Sequence, residues 1–114
     1  MARKRVILEL GTGNDLHGGD YTKAAIRAVQ DALHHSSLSM IRSLGIDAKT
    51  QMFVEVTVGA QQPGMVDTEA VKATLPHGVV TVHAVKGGLD VLDQERGDHA
   101  VIATVAVAVR LELP

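Results

Sequence analysis

Cysteine is absent from this 114-residue chain, and so is tryptophan. That excludes disulfides, thiolate nucleophiles and cysteine metal sites. Tyr21 and Phe53 are the only aromatic residues, so there is no row of rings on which single-stranded nucleic acid could stack. Excess positive charge is missing too. With 11 basic and 13 acidic residues the formal charge is −2, and no field draws in nucleic acid or an acidic membrane. Long apolar runs are also wanting. Ala100 to Val109 is nearly all apolar but includes Thr104, and it is about half the length of a membrane span. Arg3-Lys4-Arg5 is basic, yet the apolar run behind it is too short for a signal-peptide core. These absences predict a cytoplasmic protein of one domain, residues 1–114, with neither membrane nor nucleic acid as partner.

What is present is periodicity. Val6-Ile-Leu-Glu-Leu10 is rich in β-forming residues and reads as a first strand. From Ala24 to Leu44 apolar residues recur at helical spacing, with Lys23, Arg27, Asp31 and His34 on the opposite side. Ala24, Ala25, Ala28 and Ala32 suit close packing of this helix on a sheet. Asp20 or Thr22 is placed to cap it, Ser36 to Ser39 weaken its last turns, and Gly45 is the natural stop. Gln51 to Gly59 alternates as a second strand, and Gln61 to Gly64 marks a turn. Asp67 caps a short helix to Leu75, with Val66 and Val71 as a hydrophobic staple. Val79 to Lys86 is a third strand, Gly87 to Asp98 a polar loop, and Val101 to Leu113 a fourth strand. The order β-α-β-α-β-β predicts an α+β fold: a four-stranded mixed sheet with two helices on one face. Both faces of the last strand stay apolar as far as Arg110. Two helices cover one face only, so the other is expected to meet a second subunit in a homo-oligomer.

The unusual chemistry lies in Glu9-Leu-Gly-Thr-Gly-Asn-Asp-Leu-His-Gly-Gly-Asp20. Glycine lets backbone turn through positive φ and approach a ligand closely. A helix start offers unpaired N–H groups and a positive dipole end. Asp15 and His17 are two apart, so in an extended loop their side chains point the same way. Together they suit zinc or another divalent ion once a third ligand joins. His83 completes the expected set, and His99, Asp98, Glu9 and Glu55 are the other candidates. Without a metal, Asp15 and His17 form an acid/base pair, the carboxylate orienting the imidazole. Gly11, Gly13, Gly18, the helix start, Lys23 and Arg27 then hold a carboxylate or phosphate. A third reading is structural: Asp15 makes an Asx-turn, the glycines supply positive φ, and His17 packs the helix start. Nucleotide motifs fail. Gly13 to Gly18 has P-loop spacing, but Gly19-Asp20 stands where Lys-Ser/Thr would reach the phosphates, and the third Rossmann glycine is missing.

Gly11-Thr-Gly-Asn-Asp-Leu-His-Gly18 matches, at every fixed position, the G-x-G-x-D-x-H-G signature of a small family of uncharacterised conserved proteins. The resemblance extends along the chain through Thr22 to Val29, the glycines at 87 and 88, and Gly97-Asp98 before the last strand. It implies this length and fold and assigns no activity. A narrower likeness is to methylerythritol cyclodiphosphate synthase, in which a G-x-G-x-D-x-H stretch after the first strand binds a divalent metal. The matching residues are Asp15 and His17; the His-Ser-Asp-Gly-Asp segment carrying that enzyme's third ligand is absent here.

Taken together, these residues predict a small-molecule enzyme acting on an anionic substrate through Asp15 and His17, as metal ligands or as an acid/base pair. The competing class is a non-catalytic ligand-binding or assembly subunit in which the loop is structural.

Overall fold

The most β-prone segment of the chain becomes its central strand. The computed structural model describes residues 2–34, 45–75 and 77–113. Chain order is β1 (Ala2–Asp15), α1 (Tyr21–His34), α2 (Ala48–Gln51), β2 (Met52–Ala60), a 3-10 turn (Pro63–Met65), α3 (Thr68–Lys72), β3 (Val79–Lys86), β4 (Leu89–Asp93) and β5 (Asp98–Leu113). β5 pairs antiparallel with β1 along one edge and with β2, then β4, along the other. β3 lies outside β2 and parallel to it. The parallel pair needs a crossover, and the 3-10 turn and α3 supply it. The α+β class therefore holds, as one mixed sheet of five strands with its helices. The expected continuation of the first helix to Leu44, with His35 and the serines, lies outside the described residues.

The fifth strand comes from the segment expected as a polar loop. Leu89 to Asp93 folds back on Asp98 to Ile102 as a hairpin, and Gly97 closes its turn with φ of +72° and an N–H donated to the Asp93 carbonyl. Asp93 Oδ1 also accepts from the backbone of Glu95 and Arg96, the Asx-turn chemistry that favours a tight reversal. The alternation Leu89-Asp90-Val91 was the available signal.

Alternation sorts the side chains onto two faces. β5 sends Val101, Ala103, Val105, Val107, Val109 and Leu111 inward, and β2 sends Met52, Val54, Val56 and Val58; all are buried. Fully burying one such valine stabilises the fold by about 1.5–3 kcal/mol. The staple forms as expected, with Val66 and Val71 both buried and Asp67 Oδ1 capping α3 through Ala70 N–H at 3.1 Å. Asp67 N–H in turn donates to Thr22 Oγ1 at 2.9 Å, which ties α3 to α1.

α1 lies on this face with Tyr21, Ala24, Ala25, Ala28, Val29 and Ala32 buried. Its approach to β1 is very close. A Cβ on Gly11 would stand 2.3 Å from the Ala28 carbonyl oxygen, and one on Gly13 2.3 Å from that of Ala24. Here the sequence expectation needs correcting. Gly11 and Gly13 do not begin a loop: β1 runs on through them to Asp15, because small residues on strand and helix let the two pack without side chains between them. Among the described residues no helix is long and apolar enough to cross a membrane.

Candidate functional site

The connection between β1 and α1 is short, Leu16 to Asp20, and hydrogen bonds set its shape. Asp15, the last residue of β1, is 8% exposed on the helix-covered side. Its Oδ2 accepts the Asp20 N–H at 3.0 Å, closing the loop on itself. A Cβ at Gly18 would come within 2.8 Å of that same oxygen, and Gly19 turns with φ of +61° beside the His99 ring. Asp20 then caps α1 by accepting the Lys23 N–H at 3.0 Å, the first of the two expected caps. Arg27, two turns along, donates from Nη1 to the Asn14 carbonyl at 2.6 Å, and the same nitrogen lies 3.8 Å from Asp15 Oδ1.

The chain turns after Asp15, so strand alternation no longer applies, and Asp15 and His17 do not point the same way. Asp15 is turned in toward α1. His17 is turned out, its side chain 71% exposed, with Nδ1 at 3.7 Å from Asp98 Oδ2 at the start of β5. The carboxylate beside the imidazole is therefore that of Asp98. A cleft of about 550 Å³ opens here, lined by Asn14, Asp15, Leu16, His17, Gly18, Asp20, Lys23 and Arg27. Its two carboxylates, on Asp15 and Asp20, both serve backbone N–H groups. Lys23 makes no ion pair among the described residues. Arg27 is partly engaged by the loop backbone but carries five N–H donors in all.

The other expected ligands are scattered. His83 sits on β3, separated from β1 by β5 and β2, which is about 14 Å at the usual strand spacing. Its Nε2 is 3.1 Å from Thr57 Oγ1, on the face away from α1. Glu55 shares that face and pairs with Arg110 Nε at 3.0 Å. Glu9 lies six residues up β1 from Asp15, about 20 Å away along a strand. Asp98 and His99 do reach the loop. Among the described residues no three histidine or carboxylate side chains gather to hold a metal, and the guanidinium beside Asp15 works against a cation there. The set Asp15, His17 and His83 therefore does not fit zinc within one chain.

Sequence reasoning missed a buried polar pair next to the site. Tyr21, the first residue of α1, is buried and donates its hydroxyl to Asp90 Oδ2. Burial first, then the hydrogen bond and charge of Asp90, push the phenol above its ordinary 10.0. Asp90 Oδ1 is buried with no hydrogen-bond partner among the described residues. The pair pins the β4–β5 hairpin to the start of α1. Its signal was faint: one of two aromatics in the chain, and an acid alternating with Leu89 and Val91.

A strand–loop–helix corner of an α+β subunit, with a polar cleft at its mouth, is the class that the fold defines. More particularly, the chain belongs to the Lin0512_fam family of conserved hypothetical proteins, whose sequence model matches residues 5–109. It is similar to an FtsZ-like protein of unknown function from Nostoc punctiforme PCC 73102, solved by crystallography. The two share 38% identity over 99% of each chain, with a TM-score of 0.85. A comparison with curated proteins finds no match.

Proposed function

We propose that the cleft between β1 and α1 binds a small anionic molecule and that His17 exchanges a proton with it. One observation carries this reading: His17, with Asp98 beside its Nδ1, shares a single cleft with the ammonium of Lys23 and the guanidinium of Arg27. Asp98 would fix the orientation of the imidazole. Lys23 and the remaining donors of Arg27 would meet a carboxylate or phosphate. Asp15 holds the loop that carries His17 and is a positioning residue.

The test is thermal shift and histidine NMR with inorganic phosphate, pyrophosphate and malonate as probes. At least one should raise the melting temperature of the wild type and move the His17 ring signals. His17→Gln and Lys23→Ala should stay folded and lose that response. A flat response in the wild type, or an equal one in both variants, would remove the proposal. The competing reading, a non-catalytic subunit with a structural loop, is favoured by the Asp15–Asp20 bond and the crowding at Gly18. It expects no probe to bind and only Asp15→Asn to matter.

A further inference from the structure

The sheet has a second face, and no described element covers it. Among the described residues the fully buried apolar side chains are valines and alanines, with Tyr21, Met52 and Leu111 nearly as deep, yet Leu10 on the open face is 69% exposed and Leu89 54%. Leu8, Val79, Val85 and Val91 are exposed there as well. Exposed apolar residues gathered on one face of a sheet point to an interaction site. The molecule is elongated along its long strands, with extents of 57 × 23 × 19 Å and a radius of gyration of 15.4 Å, against about 13 Å for a compact domain of this length.

We infer that the open face is an interface whose occupant is a second copy of this chain. Self-complementarity points to that occupant. The same face carries the protruding Leu89 and a hollow of about 550 Å³ lined by Leu10 with the small residues Gly59, Thr104 and Ala106. Knob and hole on one surface allow two copies to meet through the same patch and close as a finite assembly. Four strands side by side over about eight residues project roughly 500 Å² per copy, so two copies together reach the lower bound of about 1,000 Å² for a specific interface. Two polar pairs on this face are also compatible with burial. Arg110 already pairs with Glu55 at 3.0 Å, and Thr57 Oγ1 lies at 3.1 Å from His83 Nε2, so closing the face need not orphan them.

Sedimentation equilibrium at micromolar concentration tests this on the wild type, Leu10→Lys, Ala106→Arg and Leu92→Lys, with circular dichroism on each. Leu92 is an exposed leucine of β4 on the other side of the sheet, so its variant is the control. The expected result is an oligomeric wild type, a folded monomer for at least one of the two open-face variants, and an oligomeric control. A monomeric wild type overturns the inference, whether or not the face then takes up an apolar dye or another protein. So does an oligomer that survives both open-face changes, or one that the control dissociates equally.

Discussion

The two faces of the sheet are made by the same strands and have opposite construction. Toward α1 the chain places glycine, alanine and valine, and backbone meets backbone closely enough that Gly11 and Gly13 have no room for a methyl group. Away from α1 it leaves Leu8, Leu10 and Leu89 exposed, while Phe53 is half-buried beneath the Arg3 guanidinium. A chain building only its own core would bury its largest apolar side chains first, because stabilisation grows with apolar area removed from water. This one buries Tyr21, Met52 and Leu111 with its valines and alanines, yet leaves leucines in water on the other face. Tight strand–helix packing closes one face, and the other keeps leucines exposed, which is the ground for the proposed interface.

Neighbouring residues let the comparison be broken directly. Gly13→Val drives a side chain into the α1 backbone and should cost more than about 3 kcal/mol in urea unfolding. Thr12→Val, one residue away on the open face, should change folding stability by less than about 0.5 kcal/mol. Val107→Ala removes buried methyls and should cost about 2 kcal/mol. Ala106→Arg, again one residue away, should leave the fold and abolish association.

Smaller effects sharpen the account at the loop. Asp15→Asn weakens the acceptor for Asp20 N–H and the contact with Arg27, and should cost about 1–2 kcal/mol by thermal melting. The raised phenol of Tyr21 has a sign that can be worked out. The unfolded chain releases that proton first, so the pair's contribution is complete below pH 10 and is lost as pH rises through the higher folded value. Wild-type stability should therefore fall above pH 10 more steeply than that of Tyr21→Phe, measured by urea midpoints across alkaline pH. His17→Gln should do least to stability, within about 0.5 kcal/mol, while removing the response to anionic probes.

Much of the fold was legible because alternation and capping act locally. β2, β3, the Asp67 cap, the Val66–Val71 staple and the Asp20 cap could be read from short windows. The last strand was legible from its β-propensity, though its central place was not, and the open second face followed from having two helices for one sheet. The site was less legible. Reading Gly11 and Gly13 as a loop failed because glycine serves close packing as well as turning, and only the alanines on α1 distinguish the two. His83 could not be assigned to a face of the sheet relative to Asp15 without strand order. The approach of His17 to Asp98 joins residues far apart in sequence, and no spacing rule reaches that far. β4 was hidden by aspartates that serve as turn and pairing residues.

One face of the sheet carries the chain's own helices, and we infer that the other meets a second copy. Relaxation by a soluble paramagnetic probe, read on methyl groups, tests both faces in one sample. The methyls of Leu8, Leu10 and Leu89 should be protected at assembling concentration and become exposed in Ala106→Arg, while those of Val107 and Val109 stay protected throughout. Open-face methyls equally accessible to the probe in both proteins would contradict the claim.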